Sequence, residues 1–548
     1  MHILKTDVLI VGAGGAGLRA AIEAARGGAA VLVVQKASGN ATQMAGGLQA
    51  VAFGHADPRD NPEQHYADTM AAGCWLNNPK LVKVLVEEAP RRLLELEEMG
   101  VEFYKQDGKF QQLLAGGHTY RRNCIYKGSN TRQLMQVLKV KAAEAGAEFL
   151  KNTVVARIVL YGGHVAGALA VDALSGELRL LSCRSLILAT GGGGGLYARR
   201  TTPPGIMGDG YALAYAAGAE LIDMEFVQFM PTVLVYPPRL NGKPVNETIR
   251  GEGAYLLNST GERFMARWDP RKMEVATRDV VARAIFSEIQ AGRGTPHGGA
   301  YLDARHIPEA VLQKSLTHYH SLLKYGCNPA QNLLEVAPAA HFFCGGVRID
   351  ADGATSIPGL FAAGEVAGGV HGANRLGGNA LSETQVFGAR AGSAAARWAR
   401  ESGGEGNNKA GDETLREAGR QFLNDYTFRG SCFLDREGKG ITQLQSLKNR
   451  LRRTVEASAG ILRSEEGLRQ GLAEIEACRG ALADLRSGIS RRALANAVEL
   501  DHMLTTAEIL LRAALQRRES RGAHFRQDYP ELDDDRWRKN IVFAANLK

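Results

Sequence analysis

The chain of 548 residues is poor in several things, and each shortage excludes a class of protein. No apolar run approaches the ~18 residues that a membrane-crossing helix needs, so direct membrane insertion is not expected. None of the seven cysteines (Cys74, Cys124, Cys183, Cys327, Cys344, Cys432 and Cys478) stands in a CxxC pair. That spacing offers no iron–sulfur cluster or structural zinc, and an odd, scattered set fits a reducing compartment. No metal site is expected. Charge of one sign is scarce too: a net +8 is mild for this length. It suits a small anionic ligand or an acidic partner and gives no basis for nucleic-acid binding. The first strand is expected within ten residues of Met1, which leaves no room for a signal peptide. The expectation is a soluble cytoplasmic protein, free or peripheral to a membrane through partner subunits.

Hydrophobic residues (45%) and glycines (65) are abundant. The first can bury more than one core. The second fall in clusters, which points to backbone packed close to a ligand. One cluster lies in KTDVLIVGAGGAGLRAAIEAARGGAAVLVVQK, residues 5–36. Val8–Val11 reads as a buried strand, Gly12, Gly14 and Gly17 fit GxGxxG, a helix follows from about Ala16 to Arg26, and Val31–Val34 reads as a second strand. This is the βαβ setting in which such glycines hold a pyrophosphate at a helix N-terminus. The acidic residue usual after the second strand is missing, and Gln35 and Lys36 stand there. A second cluster, SLILATGGGGGLY, runs a strand into Thr190, Gly191, Gly192 and three more glycines, after a predicted β-meander over 153–181. A third, residues 357–392, runs a strand into AAGE, a glycine-rich loop and a helix from about Leu381. Glu365 stands where a ribose or ribityl hydroxyl wants an acceptor. Three nucleotide-type segments so far apart suggest one extended ligand, FAD, in a domain split in sequence. The stretch 233–344 reads as an inserted second domain, residues 401–412 as a linker, and the tail from 405 as helical.

The motifs VGAGGAGLRAA, ATGGGGG, TTPPGIMGDGYALAYAAGAELIDMEFVQF, ETIRGEGAYLLNSTGERFM, HFFCGG, GLFAAGEVAGGVHGANRLGGNAL and ESRGAHFRQDYPELDD span nearly the whole chain. Through them the chain resembles the flavoprotein subunits of the succinate dehydrogenase/fumarate reductase family, which also holds L-aspartate oxidase and adenylylsulfate reductase. The resemblance implies an α/β fold in three parts. These are a Rossmann-like FAD-binding domain (1–232 and 345–404), an inserted α+β capping domain (233–344) and a C-terminal helical domain (405–548). It implies chemistry at a C–C bond next to a carboxylate, and electron exchange with an iron–sulfur subunit. It assigns proton donation to Arg278, refilled through Glu247 and Arg250, and places a substrate carboxylate on His341 and Arg375. Further cofactor contacts are implied at Gly46, Gly47, Asp209, Asn379, Ala380 and Leu381. Taken singly, Arg278 could instead pair with Asp279 or Glu274, and His341 could be a satisfied core histidine.

The pattern breaks in four places. FVQFMPT, which reads as a strand end and turn, carries Met230 where the family usually has the histidine that helps hold a second carboxylate. Asn246 replaces a threonine with the same duty. SNTRQL (129–134) departs from the family's Thr-Gly-His beside the flavin. No histidine occurs between His2 and His55, so the family's covalent flavin link has no candidate and FAD is expected to be non-covalent. Methionine cannot donate a hydrogen bond and its sulfur accepts weakly. Either another cation, Arg132 or His371, serves the second carboxylate, or the substrate's far end is less polar. The leading expectation is a fumarate reductase/succinate dehydrogenase-type enzyme acting on a small carboxylate. The alternatives are a reductase of another 2-enoate, L-aspartate oxidase, adenylylsulfate reductase and a non-catalytic flavin conduit. Aspartate oxidases typically carry a glutamate where LLAGGHTYRR (113–122) has Leu114 and Ala115.

Overall fold

Val8–Val11 is the middle of a five-stranded parallel sheet, and its residues are at most 7% exposed. The order is Leu360–Ala362, Ser185–Leu188, Val8–Val11, Val31–Gln35, Glu148–Lys151. Strands buried on both faces need runs like VLIV, SLIL and VLVV, because helices cover each side of a parallel sheet. The helix Gly15–Arg26 packs against the long helix Asn379–Glu401 over one face. The sheet therefore unites segments from all three glycine clusters, and the cluster loops lie together at the strands' carboxyl ends. The computed structural model describes residues 2–316, 318–402, 405–426, 439–486 and 489–545.

The expected meander is present. Thr153–Tyr161, His164–Asp172 and Leu178–Ser182 pair antiparallel, with Ile3–Lys5 added parallel at the edge. A second core, from Leu234 to Val336, lies inside an antiparallel sheet ordered Val227–Tyr236, Leu334–Phe343, Ala300–Asp303, Tyr255–Leu257. The helix Arg278–Glu288 packs on the first of these strands. FVQFMPT is thus no turn: it lies in the ten-residue strand Val227–Tyr236. Its proline is accommodated where the pairing with Leu334–Phe343 shifts register, between Met230 and Val233.

The C-terminal helices Lys439–Ser458, Glu465–Arg486 and Leu494–Gln516 share one continuous core with the parallel sheet. The linker reading of 401–412 is largely overturned. The helix Glu405–Asp425 begins within it and lies along the meander. Buried Leu415, Phe422 and Tyr426 anchor it, so tertiary burial outweighs the glycine and asparagine content of its first turns. Residues 403–404 of that stretch, and Cys432, lie outside the described residues.

Candidate active site

The glycines of the first cluster divide by role. A Cβ on Gly12 (φ +116°) would stand 2.2 Å from Ala189 O, and one on Gly17 would stand 1.9 Å from Gly12 O. Both positions are closed to any larger residue by protein backbone. Gly14 is different: a Cβ there meets nothing nearer than 4.0 Å, so the space over it is free for a ligand. Gly46 is equally open, whereas Gly47 (φ +71°) lies against Asn130 N. This open cradle at the N-terminus of Gly15–Arg26 fits a dinucleotide pyrophosphate.

Several implied cofactor side chains are committed to protein partners. Lys36 Nζ is 2.5 Å from Asp209 and 2.8 Å from Glu499, a buried cluster that ties the parallel sheet to the C-terminal helices. Gln35 turns back onto Ala37 O at 2.7 Å. Asn379 is fully buried, and its side chain bonds His65 (2.8 Å) and Thr69 (3.0 Å). Glu365 accepts from the Phe343 N–H at 3.0 Å, and burial pushes its carboxyl up to about 7. Thr190, Gly191 and Gly192 stand at the carboxyl end of Ser185–Leu188, and Ala380 and Leu381 open the helix Asn379–Glu401.

Four of the five chemistry-bearing residues meet between the strands Val227–Tyr236 and Leu334–Phe343 and the loop of Arg375. Gln228 pairs with Phe342 and Phe229 with Ala340, so His341 falls in the irregularity between the two pairs. Arg278, the first residue of its helix, donates from Nε to Glu247 and from Nη1 to Gln228 Oε1 at 2.9 Å. Arg375 donates from Nη2 to the same oxygen at 3.0 Å and stacks 4.4 Å above the Phe342 ring. Gln228 Nε2 in turn donates to Asn374 Oδ1 (2.6 Å) and Arg375 O (2.8 Å). All its hydrogen-bonding capacity is used. Reversing the amide would face an NH2 group with two guanidiniums, so the orientation is fixed. Arg278 Nη2 has no hydrogen-bond partner among the described residues and faces Gly377 of the same loop.

The electrostatics follow from burial and these neighbours. Burial, then the Arg278 charge, pushes Arg375 down to about 10. Burial would raise Glu247, but Arg278 and Arg250 outweigh it and hold the carboxyl at about 2. Burial and the two arginines keep His341 well below its usual range, hence neutral. Its Nδ1 lies 2.7 Å from Thr201 Oγ1. The Arg278 and Glu247 side chains keep 18% and 23% exposure, which opens them to a cleft rather than a sealed core.

Arg250 stands slightly apart. It is buried and its side chain donates to Glu274 O at 2.7 Å; its backbone N–H donates to Glu247 O at 3.0 Å, but its guanidinium makes no hydrogen bond to the Glu247 carboxylate among the described residues. The bland pairings of Arg278 are not found: Asp279 pairs with Arg283 (3.0 Å) and Glu274 with Arg263 (2.6 Å). The two substitute cations differ in setting. His371 is buried against Glu383 at 3.0 Å, and Arg132 is exposed. Met230 packs with Val233 and Ala339 in a small apolar cluster. Gln228, Asn374 and Thr201 were not singled out from sequence. A lone glutamine in the apolar run FVQF was the one available signal, since a buried polar side chain must find partners.

Comparison with known proteins agrees with the fold. The profile of the FAD binding domain family matches residues 7–381, and that described as fumarate reductase flavoprotein C-term matches 448–548. The chain is 42% identical to a fumarate reductase (CoM/CoB) subunit of Methanothermobacter marburgensis, over 100% of this chain and 98% of that one. It is 37% identical to an L-aspartate oxidase of Caulobacter vibrioides, over 96% and 94%. The structure of Mycobacterium smegmatis Sdh1 in complex with UQ1 superposes with a TM-score of 0.86 at 35% identity, covering 99% and 94%. The fold and cradle are those of an FAD-dependent oxidoreductase, of the kind that acts on carbon–carbon bonds. The chain belongs to the fumarate reductase/succinate dehydrogenase flavoprotein family. No helix among the described residues is long and apolar enough to cross a membrane.

Proposed function

We propose that this protein reduces the double bond of a 2-enoate of the fumarate type. The observation that carries the reading is the convergence of Arg278 and Arg375 on one oxygen of Gln228. It holds two guanidiniums on one acceptor, one for the substrate carboxylate and one for the proton. When bound, FAD supplies the hydride, at its N5. Arg375 takes the near carboxylate through its fork, and neutral His341 adds a hydrogen bond from Nε2 if Thr201 donates to Nδ1. Cations on that carboxylate draw charge from the alkene and favour the transition state. Arg278 gives the proton from Nη2, its free edge. Glu247, bonded to Nε, holds the guanidinium in place and refills it, with Arg250 behind. A free guanidinium hardly deprotonates. The Glu247 carboxylate, bonded at Nε, ties Arg278 to the group that returns its proton between turnovers.

An oxidase reading for aspartate has less support. Ala115 Cβ stands 3.6 Å from the Cβ position of Gly377, beside Arg278, where a carboxylate would be wanted for the substrate ammonium. Relatives are named as subunits, and the chain has no cluster-ligand spacing of its own, so an iron–sulfur subunit is the fitting electron partner. The domain boundaries 1–232, 233–344, 345–404 and 405–548 remain our division of the chain.

The test is an anaerobic screen with reduced viologen as donor. Fumarate-type enoates should be reduced and aspartate should not be oxidised. Aspartate oxidation without enoate reduction sinks the reading. FAD is held without a covalent link, since no histidine lies between His2 and His55. Acid precipitation should leave the yellow colour in the supernatant, and colour retained on the pellet refutes this.

A further inference from the structure

The near end of the site is crowded with charge, but the far end is not. Met230, Val233 and Ala339, 5%, 0% and 1% exposed, form an apolar cluster of their own. Val233 pairs with Pro244, and the Val245 N–H donates to Thr232 O at 2.9 Å. Continued by one residue, that antiparallel pairing sets Asn246 across from Pro231, the residue after Met230. Asn246 Nδ2 donates to Thr248 Oγ1 at 3.2 Å, while its Oδ1 is buried and has no hydrogen-bond partner. No Lys, Arg or His side chain bonds Asn246 or Thr248 among the described residues.

We propose that this end is built for an uncharged group, so that the preferred substrate is a 2-enoate whose far carbon carries a carboxamide rather than a second carboxylate. The proposal rests on the enoate reading for the near end. The Thr248 hydroxyl can donate or accept, so the Asn246 amide can present either its carbonyl or its N–H to the pocket. A carboxamide, having both, is matched in either arrangement. A carboxylate only accepts, so it is matched in one. It would also bring a charge into a place where Met230 offers none in return, and an unpaired buried charge is costly.

The two candidates are nearly the same shape, which makes the experiment clean. The flavin-loaded protein is assayed with reduced viologen on fumarate, on fumaric acid monoamide and on crotonate. Calorimetry then measures binding of succinate and succinamate, the saturated counterparts, to the oxidised protein. The monoamide should exceed fumarate at least ten-fold in kcat/KM, and succinamate should bind tighter than succinate. Met230→His with Asn246→Thr should shift both ratios toward the dicarboxylate by about ten-fold. Equal or better use of fumarate by the wild type overturns the proposal, and so does crotonate outrunning the monoamide. If no enoate is reduced, the enoate reading fails by itself. The calorimetric ratio then decides: succinamate tighter supports an uncharged far end, and any other result overturns it.

Discussion

The two ends of the candidate site are built on the same pair of strands and differ sharply in chemistry. At one end Gln228 gathers two guanidiniums, with a carboxylate and a neutral imidazole close by. At the other, two residues along, Met230 packs against Val233 and Ala339. Every polar group of Gln228 is satisfied within the protein, whereas Asn246 keeps an oxygen unpaired. The contrast separates two jobs. The charged end is preorganised, with its donors held by partners that need not move during reaction. The other end needs no such scaffold, because apolar contact and one amide can select a substrate without taking part in proton or hydride transfer.

That contrast can be broken most directly at Arg278. Arg278→Lys keeps the charge but loses the fork that spans Glu247 and Gln228. Turnover should fall by at least ~10², as for loss of a general acid, with FAD content per chain unchanged. A near-normal rate would mean that another group delivers the proton.

Gln228→Leu comes next. It removes the one acceptor shared by Arg278 and Arg375 and leaves the two guanidiniums without that oxygen between them. The loss should be about 2 kcal/mol, or ~30-fold in kcat/KM, falling on substrate binding as well as rate. Steady-state kinetics on the best enoate checks it. An unchanged KM would show that the arginines are held without Gln228.

The smallest effect concerns pH. The far end has no titratable side chain, so acid sensitivity belongs to the charged end and to other buried histidines. Burial holds His65 at about 3 and His118 at about 4, and holds His341 and His524 well below 6.5. Below pH 6.5 the unfolded chain takes up protons that these four rings refuse, so stability falls as pH drops. Asp223 and Glu365, raised to about 7 by burial, act in the opposite direction over the same range. The imidazoles outnumber them, and the net loss between pH 6.5 and 4.5 should be roughly 1–3 kcal/mol per unit. Thermal melts across that range should show a falling midpoint, and a flat or rising midpoint contradicts the balance.

The sequence alone was enough for the parts of this protein that depend on local rules. Buried parallel strands demand continuous apolar runs, and VLIV, VLVV and SLIL supply them. A tight strand-to-helix turn demands glycine, and Gly12 and Gly17 stand where backbone leaves no space for a Cβ. The meander and the helical tail are equally legible, since their periodicity depends on near neighbours. Tertiary structure decided the rest. Residues 405–412 look like a linker because glycine and asparagine disfavour helix locally, and the helix they open is anchored further along, at buried Leu415, Phe422 and Tyr426. Lys36 and Asp209 are implied cofactor contacts by their motifs, and only folding shows that they also pair with each other over 173 positions of sequence, along with Glu499. Gln228 looks like any polar residue in a strand. Its role arises because helix Arg278–Glu288 and the loop of Arg375 reach the same oxygen, and no local pattern encodes a contact between segments so far apart.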